Sequence, residues 1–564
     1  MFNFKKILVV ILVLCVYLST VTLFGFVNSD FGKLEVTRVE IDSDATISAY
    51  LYKPSGIREV NRVPGVVLSH GISGSKEMMS HIGLELAKNG FVAVVIDLLG
   101  HGDSEGVFGS EDMDPTLGMK DAVEFVSELE FVDSSKVGLV GHSLGAGAVR
   151  AAGLVCDNIE ASIFIAGGLG EVVNDISKYG VLNSTFPANL LVAVGSYDVL
   201  FDLDETKKEL RPVFGCSSSI EENRVYGSFL EKNARSLFVT DTIHLFEPAD
   251  GRIVSEIVYW MNNSLKTEDD IQEIQQSFVS GQLAVIVALV VFVLLVFPIF
   301  SVIFDYFPTL KSADEGKNKF LSGRKLFWVW GVLGLALFLP LFSVGSLIPF
   351  PPLVFGSSLS WWFFGAGFVG LFVGKKWLFK NRSIEIKSIL RKSLTRSNVL
   401  VATGIFLGIY LLVFLTQTVF LTDLRVATIP VFKTLFNPMR LVALLCFAPF
   451  YFVYFFVEGI YLHELRKNDS SEMLDLLKVV GIRVVPYLVL IFLNYFPMVL
   501  LGIRVFPGFV GFIVEFILAM IPLFTITIIY SWWFYQKTNN LGVGMLINML
   551  IFTWISAAIF PISI

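Results

Sequence analysis

A chain of 564 residues is too long for one ordinary domain, and at 16% charged it falls well below the roughly 25% of a soluble protein. With 54% apolar residues, 53 of the 564 being phenylalanine, it carries more apolar surface than folding in water can hide, so lipid must solvate part of it. The net charge of −7 excludes nucleic acid as a partner, because phosphate binding needs a basic face.

Taken from the N-terminus, Lys5 and Lys6 precede an uncharged apolar run from Ile7 to Val27. That run is long enough to cross the hydrocarbon core and has no small-x-small cleavage site after it, so it reads as a retained anchor rather than a signal peptide. Residues 28–277 have the charge content of a soluble protein. Val63–Ser69, Phe91–Asp97, Val137–Gly141, Ala161–Ala166 and Leu190–Gly195 are short apolar runs that read as buried strands. Helical stretches at 76–89 and 115–130 separate the first of them. Such alternation predicts a mostly parallel sheet covered on both faces, an α/β fold.

Gly141-His142-Ser143-Leu144-Gly145 is a G-x-S-x-G motif directly after a strand and directly before the helical run Ala146–Val155. Small residues there let the strand turn sharply into the helix, which would set the Ser143 hydroxyl on a strained elbow at the helix N-terminus. A serine hydroxyl is a poor nucleophile at neutral pH, so a base and an orienting acid must follow. Asp198, just past the strand at 190–195, fits the acid, with Asp202 and Asp204 as neighbouring alternatives. Beyond the strand Ser236–Thr240, His244 is the one histidine left before the apolar C-terminal half, and it fits the base.

Leu-Ser-His-Gly-Ile-Ser-Gly-Ser-Lys (68–76), Asp-Leu-Leu-Gly-His-Gly-Asp-Ser (97–104) and the elbow at 141–145 together resemble the α/β-hydrolase superfamily, in its monoglyceride-lipase-like and serine-aminopeptidase-like branch. The resemblance implies that His70-Gly71 begins an oxyanion loop, that the Ile72 and Leu144 amides bind the oxyanion, and that His101 is a structural loop residue. It covers under half the chain. The stretch 205–235 is long for this family and is expected to form a lid or an added helix.

Beyond residue 281 come eight apolar segments of spanning length, at about 281–304, 327–348, 353–374, 399–421, 441–462, 484–503, 509–533 and 541–560. Prolines 349, 351 and 352 crowd the third, which opens a re-entrant alternative there. Lysines and arginines cluster at 311–325, 375–396 and 466–483, whereas the loops between those clusters hold few: none at 349–360, and Arg425, Lys433 and Arg440 at 422–440. By the positive-inside rule the N-terminus is cytoplasmic and the hydrolase-like domain lies outside a cell membrane. The expected organisation is an anchor (1–27), an α/β-hydrolase domain (28–277) and a transmembrane domain (278–564).

The remaining signals are weaker. His463-Glu464 opens an H-E-x-x-H pattern that Lys467 breaks; there is no phosphate-binding loop and no zinc-type cysteine cluster, so neither metal nor cofactor is expected. Cys15 and Cys446 lie in apolar runs and read as buried thiols, while Cys156 and Cys216 are a candidate pair in an oxidising compartment. Asn183-Ser-Thr and Asn262-Asn-Ser are glycosylation sequons. Glu458 and Glu515 fall inside apolar segments, where carboxylates are costly and often functional. The expected activity is hydrolysis of an ester or amide bond in a small-molecule, lipid or peptide substrate. A transporter or receptor-like protein with a ligand-binding domain, and an acyltransferase, are the alternatives.

Overall fold

The computed structural model describes residues 4–563 except 111, 171–175, 218, 272, 275–277, 313–319, 379–383, 422–423, 426–431 and 468–470. Lys317, Lys319, Lys380 and Arg382, counted above in the basic loops, lie outside the described residues.

Helix α1 (Phe4–Asn28) leads into a sheet of nine strands: β1 (Leu34–Ile41), β2 (Ile47–Pro54), β3 (Val63–Ser69), β4 (Val92–Ile96), β5 (Val132–His142), β6 (Ile159–Ile165), β7 (Leu190–Gly195), β8 (Val225–Tyr226) and β9 (Arg235–Thr240). Their spatial order is β1-β2-β4-β3-β5-β6-β7-β9-β8. The centre is parallel throughout, and only β1, β2 and β8 run antiparallel at the margins. Successive residues of a strand face opposite sides, so each central strand feeds two cores. Val67, Val94 and Leu139 pack with Ala148 and Val149 of the helix Leu144–Val155 below. On the other face Val66, Leu68 and Val140 pack with Ile82 and, from the last helix of the domain, Trp260. The helices of this domain are α2 (Lys76–Lys88), α3 (Met119–Glu128), α4 (Leu144–Val155), α5 (Leu203–Val213) and α6 (Gly251–Leu265). The long segment 205–235 carries most of α5 and the two-residue edge strand β8, which bonds to β9.

Among the described residues nine helices are long and apolar enough to cross a membrane. These are α1 and, after the sheet domain, α7 (Gly281–Tyr306), α8 (Gly323–Leu347), α9 (Gly356–Leu378), α10 (Arg396–Phe420), α11 (Pro438–Glu464), α12 (Glu472–Leu501), α13 (Gly508–Thr538) and α14 (Gly542–Ile559). The proline-crowded third segment is thus a full-length helix. Helix α12 starts twelve residues earlier than its apolar run: Glu472 and Asp475 sit in its first turn, where acidic groups favour a helix N-terminus. Asp475 is fixed there by Arg466, at 2.7 Å, and by the Trp532 indole, at 2.8 Å. Lys6 of α1 clamps Asp305 of α7 at 2.7 Å, and Tyr17 meets Thr416 of α10. Deep among the helices, Glu458 of α11 pairs with Arg483 of α12 at 3.0 Å and accepts from Trp330 and Tyr454, so this carboxylate ties helices together.

The two ends of the helical region differ. At one end Ser312 bonds to Thr538, Leu321 to Leu465, and Asn540 to Lys392, which gathers the described basic stretches. The other end carries the sheet domain. There Gly508 donates to Val199, Phe108 to Ile562, and Ile562 to Gly100. Arg440 donates to the carbonyls of Gly102, Ala557 and Phe560. Lys433 reaches both carboxylate oxygens of Glu77, at 2.8 and 2.9 Å, and Asp103 at 3.1 Å. Arg425 donates to Ser75 at 2.7 Å. The three cations that stood against the charge rule in the loop 422–440 are therefore all engaged at this interface.

All four cysteines are free, and Cys15 is exposed on α1 rather than buried. Asn183 is exposed, but Asn262 is buried in α6 and its sequon is not presented.

Candidate active site

At the end of β5 the backbone turns through Ser143 with φ 52° and ψ −113°, a conformation few non-glycine residues adopt. Two glycines make the turn possible. A side chain at Gly141 would come within 2.2 Å of the Gly145 carbonyl, and one at Gly145 within 2.7 Å of the His70 carbonyl. The nucleophile-elbow reading of 141–145 therefore rests on sterics as well as on pattern.

Ser143 Oγ donates to His244 Nε2 at 3.1 Å, and His244 Nδ1–H donates to Asp198 Oδ2 at 2.8 Å. The carboxylate on Nδ1 selects the tautomer that leaves Nε2 as acceptor. Asp198 is fully buried and held by the Leu200 and Phe201 amides, at 2.6 and 3.2 Å. Its two sequence alternatives are elsewhere: Asp202 caps the N-terminus of α5 by accepting from the Asp204 and Glu205 amides, and Asp204 is exposed on that helix. Burial opposes the charged form of His244, but the Asp198 carboxylate, with a further contribution from Glu515, outweighs it and holds the imidazole pKa above its ordinary value.

Ile72 lines the same cavity as Ser143, and Leu144 is the first residue of α4, where a helix leaves its leading amides without intrahelical partners. The loop between them is set by His70. Its Nδ1–H donates to the Gly71 carbonyl at 2.7 Å and its Nε2 accepts from the Leu98 amide at 3.1 Å. Burial pushes its pKa down to about 3, so it stays neutral. His101 packs 5.3 Å from it, ring to ring, and donates no proton toward Ser143.

Two further carboxylates lie near His244. Glu247 is buried, accepts from the Gly195 amide, and has a pKa pushed well above the ordinary range by burial and by the neighbouring Asp198 charge. Glu515, from α13, accepts the backbone N–H of Leu245 at 3.0 Å. Among the described residues His142, His244 and Glu247 place potential ligand atoms within 4.8 Å of one another. Both His244 ring nitrogens already face Ser143 and Asp198, so a metal there would have to break that chain.

A cavity opens over Ser143. Gly71, Ile72, Met78 and His244 form one wall, and the other is Phe342 of α8, a row of α13 side chains, and Ile555 and Ile559 of α14. Sequence reasoning missed this second wall and Glu247; it had marked Glu515, through its place in an apolar run, without locating it beside His244.

Residues 66–290 match the model of the alpha/beta hydrolase family. An uncharacterized protein, YcjY of Escherichia coli (strain K12), is 29% identical over 106 residues, 18% of this chain, which spans about a third (34%) of that relative's length. Among solved structures, the Pyrococcus furiosus esterase Pf2001 aligns over 42% of this chain and 96% of its own at 19% identity, with a TM-score of 0.32. The alpha/beta hydrolase GrgF from Penicillium sp. sh18 aligns over 41% and 99% at 15% identity, with a TM-score of 0.30. The family match at 66–290 and the observed sheet give an α/β-hydrolase domain with a mostly parallel sheet, joined to a C-terminal helical region.

Proposed function

We propose that this protein is a membrane-bound serine hydrolase that cleaves ester or amide bonds through an acyl-enzyme. One observation carries the reading: the unbroken hydrogen-bonded chain from Ser143 through His244 to Asp198 beneath a cavity. His244 takes the Ser143 proton as Oγ attacks the carbonyl carbon, and Asp198 stabilises the imidazolium that forms. The Ile72 and Leu144 amides receive the oxyanion, a contribution of about 3–4 kcal/mol per donor in comparable sites. His244 then protonates the leaving group, and water repeats the sequence to free the acid.

In this reading residues 1–27 anchor the chain, 28–277 form the hydrolase domain and 278–564 the membrane domain. The hydrolase domain faces the extracytoplasmic side of the cell membrane. The gathering of basic stretches at the opposite end of the helices supports that orientation.

The test is covalent labelling with a fluorophosphonate in the full-length protein. Wild type should take up one label per chain and Ser143→Ala none. A folded wild type that takes up no label would end the reading.

A further inference from the structure

The C-terminal helices are far more membrane than an anchor needs, since α1 already supplies one. Their arrangement at Ser143 suggests what the excess is for. The cavity wall opposite the nucleophile comes from α8, α13 and α14, and along α13 it presents Phe512, Phe516, Met520 and Leu523. These lie at intervals of four, four and three residues, one continuous helix face. From Phe512 to Leu523 the face runs about 16 Å at the helical rise of about 1.5 Å per residue. That is about half of the roughly 30 Å hydrocarbon core, the depth of one leaflet. Its near end touches the chemistry: the Phe512 ring centre lies 5.6 Å from that of His244.

We infer that this face is an acyl subsite, and that the substrate is a long-chain ester of a membrane lipid whose chain lies along α13 with its carbonyl at Ser143. The inference rests on the serine-hydrolase reading above. Chemistry separates this substrate from a peptide. A peptide in the slot would bring backbone amides that need partners, and each one left unpaired costs about 1–3 kcal/mol. The α13 face offers them none, being phenylalanine, isoleucine, alanine, methionine and leucine. The cation that touches the cavity, Arg425, donates to Ser75 and faces the Glu77 charge, so it belongs to the interface cluster. A methylene chain asks only for dry, apolar contact.

The step balances as ordinary acyl transfer. The Ser143 Oγ–acyl bond forms, the ester C–O bond breaks, and the lipid alcohol leaves with the proton His244 took from Ser143. Water then supplies the hydroxyl that frees the fatty acid and regenerates Ser143.

The experiment uses full-length protein in phosphatidylcholine vesicles and compares labelling rates for an ethyl and a hexadecyl fluorophosphonate. Wild type should prefer the hexadecyl probe by about tenfold or more, since each methylene buried contributes to binding. Ala519→Phe, which thrusts a ring from α13 into the slot, should collapse that preference. A wild-type ratio near one overturns the subsite without needing any variant to fold. So does an unchanged ratio in Ala519→Phe. If neither probe labels folded protein, the serine-hydrolase reading has failed and the subsite falls with it; ethyl labelling without chain preference fails the subsite alone.

Discussion

Glu515, on helix α13 of the C-terminal region, accepts the backbone N–H of Leu245, the residue that follows His244, at 3.0 Å. A helix of membrane type thus holds the loop that carries His244, the proposed base. The contact acts in two ways: it fixes the loop, and its charge helps to hold the His244 pKa up against burial and alongside the larger effect of Asp198.

Replacing Glu515 separates the two effects. Glu515→Gln keeps an acceptor and removes the charge, so the His244 pKa should fall. Catalysis needs neutral imidazole, so activity is lost as pH drops through that pKa, and the acid limb of kcat/KM should move to lower pH. Glu515→Ala should shift the limb likewise and also lower kcat by about tenfold to a hundredfold, the cost of a base misplaced by about an ångström. Profiles that superpose on wild type in both variants would show that the contact is idle.

The acid assignment has a direct counter-test in its neighbour. Asp198→Asn should cut kcat by about ten-thousandfold, because an amide no longer selects the reactive tautomer. Asp202→Ala should leave turnover as it was and cost only about 1 kcal/mol of stability, the usual loss for a helix N-cap. The reverse ranking would move the acid to Asp202.

Glu247 should make its mark in melting curves. Its folded pKa is raised, by burial first and by Asp198 second. A carboxyl of that kind favours the folded state below the unfolded value of about 4.3 and loses that stability as pH rises toward the folded pKa. Glu247→Gln cannot ionise, so the variant should match wild type in acid and melt higher than wild type at neutral pH and above. Glu77 and Asp97 are opposite in sign: burial works against their charge, but Lys433 and Lys76 depress both pKa values. Their stability is present above the unfolded carboxylate range and is lost as pH falls through the depressed values. A gap between Glu247→Gln and wild type that does not change with pH would contradict this account.

The interface cluster predicts a contrast between two lysines. Lys433→Met takes from Glu77 its closest cation while Asp103 keeps Lys76 at 2.7 Å, and should cost at most about 3–5 kcal/mol, while Lys433→Met combined with Glu77→Leu should recover part of that loss. Lys6→Ala breaks a pair whose partners are 32% and 37% exposed, and should cost less than about 1 kcal/mol. Thermal unfolding of the full chain in detergent measures both. Equal melting temperatures for Lys433→Met and wild type would mean the cluster holds nothing together.

Much of the sheet was legible because its central strands are continuous apolar runs between helices, and the elbow because two glycines and a serine at fixed spacing have few other uses. Asp198 and His244 were picked out by order along the chain, and the structure brings both to Ser143. The margins were not: β1 is exposed or half-buried between its two ends, β8 is only two residues long, and no glycine-rich turn announces the pairing of β1 with β2. The start of α12 was hidden because a hydropathy scan stops at Arg483 and Lys478, whereas the helix continues back through them to Glu472 and Asp475, acids that suit its first turn. The cavity's second wall could not be read at all. Phe512 and Phe516 look like any lipid-facing residues until the helix is set beside Ser143, and that placement depends on contacts between residues far apart in sequence.

The exchange of backbone hydrogen bonds by Ile562 with Gly100 and Phe108 also has a meaning in time. A ribosome makes the hydrolase residues first and the strand of chain that braces their 97–108 loop only after eight further helices. Until then that loop, next to His70 and Lys76, lacks its partner, and the cavity over Ser143 lacks α13 and α14. The cavity over Ser143 therefore gains its second wall only once the helices are in place, where the proposed lipid would be found.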